Sequence, residues 1–139
     1  MAMIARVSIW SMLCAAVVLV GCDDSSTTSP SESDTYVKVV YDGKPLANVQ
    51  VLLKQTDDGA PLARAITNER GFAYVSELPS PEPQDYIVAM ESISDGGWML
   101  NPSVMKKLGD SLHLKPFSES PHQTIELPRR AVQSLVSNH

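Results

Sequence analysis

Hydrophobic positions follow two different rules along this chain. From Val7 to Val20 (VSIWSMLCAAVVLV) they form one nearly unbroken run, whereas from Thr35 onward they alternate with polar positions between turn residues. The alternation predicts strands, because successive side chains of an extended chain point to opposite sides. Tyr36–Tyr41 (YVKVVY) is β-branched and aromatic, with Val37, Val39 and Tyr41 sharing one face. Asp42-Gly43 reads as a tight turn, with Pro45 just beyond it. Val49, Val51 and Leu53 then alternate with Gln50 and Lys54, and Asp57-Asp58-Gly59 marks the next turn. A short strand over 62–67, a turn over 68–71 and a strand over 72–75 follow. The segment 78–84 carries Pro79, Pro81 and Pro83 and is excluded from a sheet centre, since proline cannot donate to a ladder. Asp85–Glu91 (DYIVAME) is the clearest late strand, and the segments 111–114 and 123–127 are weaker ones.

About seven short strands, with turn signals roughly every eight to twelve residues, predict an all-β chain folded as a Greek-key β-sandwich. One helical signal interrupts them. Asn101 can cap a helix, Pro102 suits its first position and Gly109 can terminate it. Such a helix is under two turns long, with Val104 and Leu108 on one face, and plugs one end of the sandwich. The other reading of this segment is an irregular loop.

The N-terminal run has a different purpose. Arg6 is the only charge in the first twenty-one residues and precedes the apolar stretch, the layout of a secretory signal peptide. About fourteen residues are too few for a membrane span, which needs roughly twenty. Leu19-Val20-Gly21-Cys22 resembles the lipobox of bacterial lipoproteins, in which a small residue precedes an obligatory cysteine. That resemblance implies a thioether-linked diacylglycerol on Cys22, cleavage after Gly21 and, in many bacteria, a further acyl chain such as palmitate on the new amino group. Several chains hold a protein at a membrane where one would leave, because each buried methylene contributes about 0.8 kcal/mol. Cys14 follows the bulky Leu13 and is expected to leave with residues 1–21. The mature chain then has no thiol for a disulfide, a zinc site or a nucleophile, so its core must stabilise it unaided.

Residues 23–34 (DDSSTTSPSESD) contain no apolar side chain and cannot offset their ordering entropy by burial. Residues 22–34 are therefore expected to be an anchor and flexible tether, with a reach on the order of 40 Å at about 3.3 Å per residue. Asp23 and Asp24 resemble the inner-membrane retention signal of enterobacterial lipoproteins; the choice between inner and outer membrane stays open. The expected address is the cell envelope, on the periplasmic side. Without its first twenty-one residues the chain has 118 residues and a net charge of −6, since the whole-chain −5 loses only Arg6. That is one domain, expected over 35–128 with a C-terminal tail over 129–139. Mild acidity argues against a nucleic-acid partner, which calls for a basic stripe.

Two motifs in the body carry a second resemblance. Asp42-Gly43-Lys44-Pro45-Leu46-Ala47-Asn48-Val49-Gln50-Val51 is similar to the stretch that leads from the first strand into the second in carboxypeptidase regulatory-like and transthyretin-like domains. Thr67-Asn68-Glu69-Arg70-Gly71 resembles the same family's turn before an aromatic-bearing strand, about twenty-five residues on. Together they cover 36–91, and their combination with a lipobox is familiar from small planctomycete-type lipoproteins. The motif residues themselves read as structural: Gly43 and Gly71 supply conformations that a β-carbon disfavours, Pro45 presets its own dihedral, and Thr67 and Asn68 can bond turn amides. One departure concerns the position two residues after Gly71, aromatic in many members of the family and Ala73 here. Either Ala73 and Val75 point inward with Phe72 and Tyr74 outward, or the register shifts by one.

Candidate chemistry narrows accordingly. Hydroxyisourate hydrolysis, the activity of some transthyretin-like proteins, relies on a histidine pair, an arginine and a Tyr-Arg-Gly-Ser motif. This chain has no such motif, and His113, His122 and His139 fall at no matching position. No acidic or histidine partner lies at ligand spacing from His113 or His122, so no metal is expected. There is no Gly-x-Ser-x-Gly element. A self-made isopeptide bond would need an inward lysine facing an asparagine; Lys38 alternates outward and 123–127 contains no asparagine. No cofactor and no catalytic residue are expected. What remains is a candidate binding surface of Phe72, Tyr74 and Trp98, the last beside Gly96-Gly97, suited to a protein or a sugar face. In the other reading Trp98, Met99 and Leu100 fold back over Phe72 and Tyr74 as a small second core. The expected function is a non-catalytic binding or scaffolding module anchored to a membrane, with an envelope protein or glycan as partner. The competing class is an accessory or catalytic protein, which a cleft of perturbed carboxylates or histidines would support.

Overall fold

Strand β1 (Tyr36–Tyr41) buries Val37 and Val39 completely and turns Tyr36, Lys38 and Val40 the other way, the period-2 pattern of a strand with one face on the core. The computed structural model describes residues 30–93 and 97–135. The signal segment, the Leu19–Cys22 motif, Cys14, Asp23, Asp24 and the tether up to residue 29 lie outside the described residues, as do Asp95, Gly96, Val136 and His139.

Asp42 and Gly43, at φ 50° and 73°, form the two-residue turn that pairs Tyr41 with Lys44 and starts β2 (Lys44–Pro45). Positive φ at both central residues matches the twist of a hairpin. β5 (Phe72–Tyr74) runs antiparallel to the first half of β1. The Val39 amide donates to the Gly71 carbonyl at 2.8 Å, and its carbonyl accepts from Leu46 at 3.0 Å. Both groups of one residue point to the same side, so β2 and β5 lie end to end along one edge of β1. The other edge takes β9 (His122–Leu127), which runs parallel to β1.

The second sheet is antiparallel, in the order β4 (Ala63–Ile66), β3 (Val49–Lys54), β6 (Tyr86–Ser92) and β8 (His113–Leu114). A separate pair joins β7 (Trp98–Leu100) to β10 (Val132–Ser134). The two main sheets enclose one core: Val37 and Val39, Val49, Val51 and Leu53, Tyr86, Val88 and Met90, Ile125 and Leu127. Each fully buried aliphatic side chain contributes about 1.5–3 kcal/mol. Gln123 ties the sheets at one end. Its amide accepts from the Lys115 N–H at 3.0 Å and donates to the Lys115 and Ser120 carbonyls at 2.8 and 3.0 Å, in the manner of an added backbone rung. The chain is an all-β sandwich with one short helix.

Several expectations need correcting. Helix α1 spans Pro102–Ser111, longer than expected, and ends at Leu112, so Gly109 does not terminate it and Ser111 is helical. Gly109 instead lies against β6, where an added Cβ would stand 3.2 Å from the Val88 carbonyl. The Asn101 cap is as expected: its side chain accepts from the amides of Ser103 and Val104. β2, β7 and β10 are strands that the pattern did not announce. Within the stretch expected as a C-terminal tail, Ala131 is fully buried, its carbonyl accepts from Asn101 at 2.7 Å, and β10 follows.

Candidate functional site

The outer face of the β1 sheet carries a cluster of rings. Register aligns Tyr74, Tyr36 and His122 in one row across β5, β1 and β9, and Phe72, Lys38 and Thr124 in the next. Tyr36 is central. Its ring meets Phe72 edge-on at 4.9 Å and 78°, meets Tyr74 at 6.2 Å and 73°, and stacks on His122 at 4.6 Å and 13°. Edge-to-face pairs suit the ring quadrupole and contribute about 0.5–1.5 kcal/mol each beyond burial. Lys38 Nζ lies 5.2 Å from the Phe72 centroid and Arg70 Cζ 5.8 Å from it, within cation–π range.

These side chains stand differently towards solvent. Phe72 is 8 % exposed and Tyr74 38 %; Tyr36 is half-buried and His122 exposed. Among the described residues, the Tyr36 and Tyr74 hydroxyls and the His122 nitrogens make no internal hydrogen bond, and no carboxylate pairs with Lys38. Glu126, beside Val40 in the next row, bounds the cationic zone on β9.

The turn preceding β5 holds this face in register. The Thr67 hydroxyl, 2 % exposed, accepts from the Val49 amide at 3.0 Å. The Asn68 side chain accepts from the amides of Arg70 and Phe72 at 2.9 and 3.1 Å, and Gly71 takes φ +78°. Ala73 and Val75 consequently point into the core, at 0 % and 6 % exposure, and Phe72 and Tyr74 point outward.

The expected trio of Phe72, Tyr74 and Trp98 does not assemble. Phe72 faces outward but lies beneath Tyr36, Lys38 and Arg70, so it supports the surface and does not present one. Trp98 belongs to β7, is half-buried and packs on the main core; no ring contact joins it to the other two. Nor does Leu100 fold over Phe72, because it enters the main core. Tyr36 and His122 replace Trp98. Tyr36 was legible as the outward start of β1; His122 joins it only through the parallel pairing of β1 with β9, for which no local pattern exists.

A second cluster lies between β6 and the 116–120 loop. The Glu82 carboxylate accepts from the Tyr86 hydroxyl at 2.7 Å and from the Phe117 and Ser118 amides at 2.9 Å each. Burial alone would raise its pKa, but these donors together hold it below the ordinary 4.5. Burial of Tyr86, reinforced by the hydrogen bond to Glu82 and its charge, pushes that hydroxyl well above its ordinary value. Tyr86 is inaccessible at 0 % exposure and its partner has its oxygens occupied, so the arrangement locks a loop and offers a substrate nothing. His113 Nδ1 sits 3.2 Å from Asp85 in an exposed pair. Among the described residues no group of three or more His, Cys, Asp or Glu side chains is placed to hold a metal, and no helix is long and apolar enough to cross a membrane. Comparison with protein-family models, with curated proteins and with solved structures finds no match to this chain.

Proposed function

We propose that this chain is a lipid-anchored protein of the cell envelope whose β-sandwich is a non-catalytic binding module of the carboxypeptidase regulatory-like or transthyretin-like kind. The aromatic face of the β1 sheet is its binding surface. The observation that carries the binding part is the row Tyr74–Tyr36–His122 above Phe72 and Lys38, on the side of the sheet away from the core. Rings there are held rigid by one another while their polar ends are left for a partner, a combination that lowers the ordering cost of binding. The anchoring part rests on the apolar run, on Leu19-Val20-Gly21-Cys22 and on the polar stretch that separates Cys22 from β1. Among the described residues the groups with shifted pKa values, Glu82 and Tyr86, are engaged with each other and with backbone amides, which favours the non-catalytic reading.

Two measurements test the two parts separately. Cys22→Ser is expected to abolish metabolic fatty-acid labelling and membrane retention; a variant still labelled and anchored would remove the lipoprotein reading. Crosslinking in intact cells, with wild type compared with Tyr74→Ala/His122→Ala, is expected to lose a partner on mutation while circular dichroism stays unchanged. Identical crosslinks from both proteins would show that this face binds nothing.

A further inference from the structure

We infer that β9 is the pairing edge of a two-fold dimer, in which His122, Thr124 and Glu126 of one copy lie opposite Glu126, Thr124 and His122 of a second. This goes beyond the binding-module reading and requires no ligand. The argument starts from the main chain. Tyr36 donates to the Pro121 carbonyl at 3.0 Å, which fixes the phase of the parallel ladder: Gln123, Ile125 and Leu127 turn their N–H and C=O groups towards β1. The corresponding groups of His122, Thr124 and Glu126 point to the open side of the sheet, and among the described residues they have no partner. β9 has six residues, against two and three for β2 and β5 and four and two for β4 and β8. It is thus the longest strand at an edge of either main sheet, and such a row of unpaired groups is a template for another strand.

The side chains select the occupant. In an antiparallel pair, each hydrogen-bonded pair of residues exchanges two bonds. Two β9 strands centred on Thr124 match His122 with Glu126, Thr124 with itself and Glu126 with His122, so every outward group is satisfied. Centring one residue earlier leaves Glu126 opposite Ser120, outside the strand. Centring one residue later sets His122 opposite Pro128, which has no N–H. Centring on Glu126 itself opposes like charges. The register with the most bonds is therefore also the one that opposes unlike side chains, and both opposite-charge and Thr–Thr pairs are favourable across strands. All three side chains are exposed, and among the described residues neither His122 nor Glu126 has an ion-pair partner in its own chain. A foreign extended peptide would meet the same backbone groups, but the order His–Thr–Glu complements itself when reversed, so the occupant is a second copy. The dimer also extends the candidate site. The row Tyr74–Tyr36–His122 continues into Glu126 of the second copy, whose carboxylate accepts from the His122 imidazole.

The test is disulfide trapping with the full chain, purified in mild detergent and exposed to oxidised glutathione, with wild type setting the background from Cys14 and Cys22. Thr124 sits on the two-fold axis, where a hydrogen-bonded pair places its Cα atoms about 5.5 Å apart, within the range of roughly 4.4–6.8 Å that a disulfide spans. Thr124→Cys should therefore give a linked dimer above background. His122→Cys alone should not, since its two copies stand four residues apart along the strands, roughly 14 Å. A mixture of His122→Cys and Glu126→Cys should give the mixed dimer, and Arg64→Cys, on the shorter edge strand β4, should stay at background. Without oxidant, Glu126→Lys should weaken the dimer about twofold to thirtyfold in sedimentation equilibrium, the scale of two charge pairs. Thr124→Pro removes the central N–H without touching the β1 ladder and should leave a monomer that is folded by circular dichroism. Equal trapping of Thr124→Cys and Arg64→Cys would mean random encounter and would overturn the inference. Trapping by His122→Cys alone would overturn the register and the pairing argued from it. A Thr124→Cys chain that stays at background, or a dimer indifferent to Glu126→Lys, would show that this edge does not take a second copy.

Discussion

Gly71 offers a quantitative check on the turn that orders the aromatic face. An added Cβ would meet the Val39 carbonyl oxygen at 2.7 Å, Pro45 Cβ at 2.9 Å and Pro45 Cα at 3.2 Å. All three atoms belong to backbone or to a proline ring, so no flexible side chain can yield. Gly71→Ala incurs two costs. The left-handed conformation, φ +78°, costs a residue with a side chain roughly 1–2 kcal/mol. Relieving the clash also requires β5 and β1 to separate where the Val39 amide donates to the Gly71 carbonyl at 2.8 Å, and a weakened backbone bond costs about 0.5–1.5 kcal/mol more. The sum is about 1.5–3.5 kcal/mol, a large share of a typical stability of about 5–15 kcal/mol. Gly43 is the matched control: its φ is +73° and nothing lies within 4 Å of the Cβ it would acquire. Gly43→Ala therefore carries only the conformational cost. Urea denaturation of both variants beside wild type, with the slope checked for constancy, should place Gly71→Ala about 0.5–1.5 kcal/mol below Gly43→Ala. Equal losses would refute the close approach of this turn to β1 and β2.

Other side chains carry separable consequences. Thr67→Val keeps the shape but leaves the Val49 amide without its acceptor, and should cost about 1–3 kcal/mol, whereas Thr67→Ser should cost far less; thermal or urea unfolding distinguishes them. The folded pKa of Glu82 is depressed, so its contribution is fully present above the ordinary 4.5 and disappears as pH falls through the lower folded value. Wild type should therefore lose more stability than Glu82→Gln on acidification from neutral pH to below that value, and parallel profiles would show that the lock contributes nothing. Asn101→Ala removes the acceptor for two amides at the start of α1 and should cost about 0.5–2 kcal/mol, read as a lower urea midpoint.

What could be read in advance was local. Asp42-Gly43 and Thr67–Gly71 specify turns through residues that are adjacent in the chain, and Val37/Val39 and Tyr86/Val88/Met90 reveal their inward faces by alternation alone. Gly109 was misread because its reason is tertiary: the glycine serves the contact with β6 and not the end of its own helix. β2, β7 and β10 are too short to carry a pattern, and each exists through its partner strand. The same limit governed the site. The alternation put Phe72 and Tyr74 together on one face and left open which face that was, and grouping them with Tyr36 and His122 requires that β1 pair antiparallel with β5 and parallel with β9. Trp98 attracted notice as a ring beside glycines, and that neighbourhood says nothing about which sheet covers it.

The core and the candidate binding face are thus two readings of the same strands. β1 sends Val37 and Val39 inward with the same alternation that sends Tyr36 and Lys38 outward, and β5 buries Ala73 between Phe72 and Tyr74. A shift of β5 by one residue would place both rings in the core and expose Ala73. The turn residues that look purely structural therefore determine which aromatics reach solvent and which partner each one meets. Gly71 lets the chain approach β1 closely enough to pair Phe72 with Lys38 and Tyr74 with Tyr36, and the Asn68 side chain fixes where that pairing begins. A turn variant such as Gly71→Ala should therefore lose stability and ligand together, whereas Tyr74→Ala should keep the fold and lose the ligand.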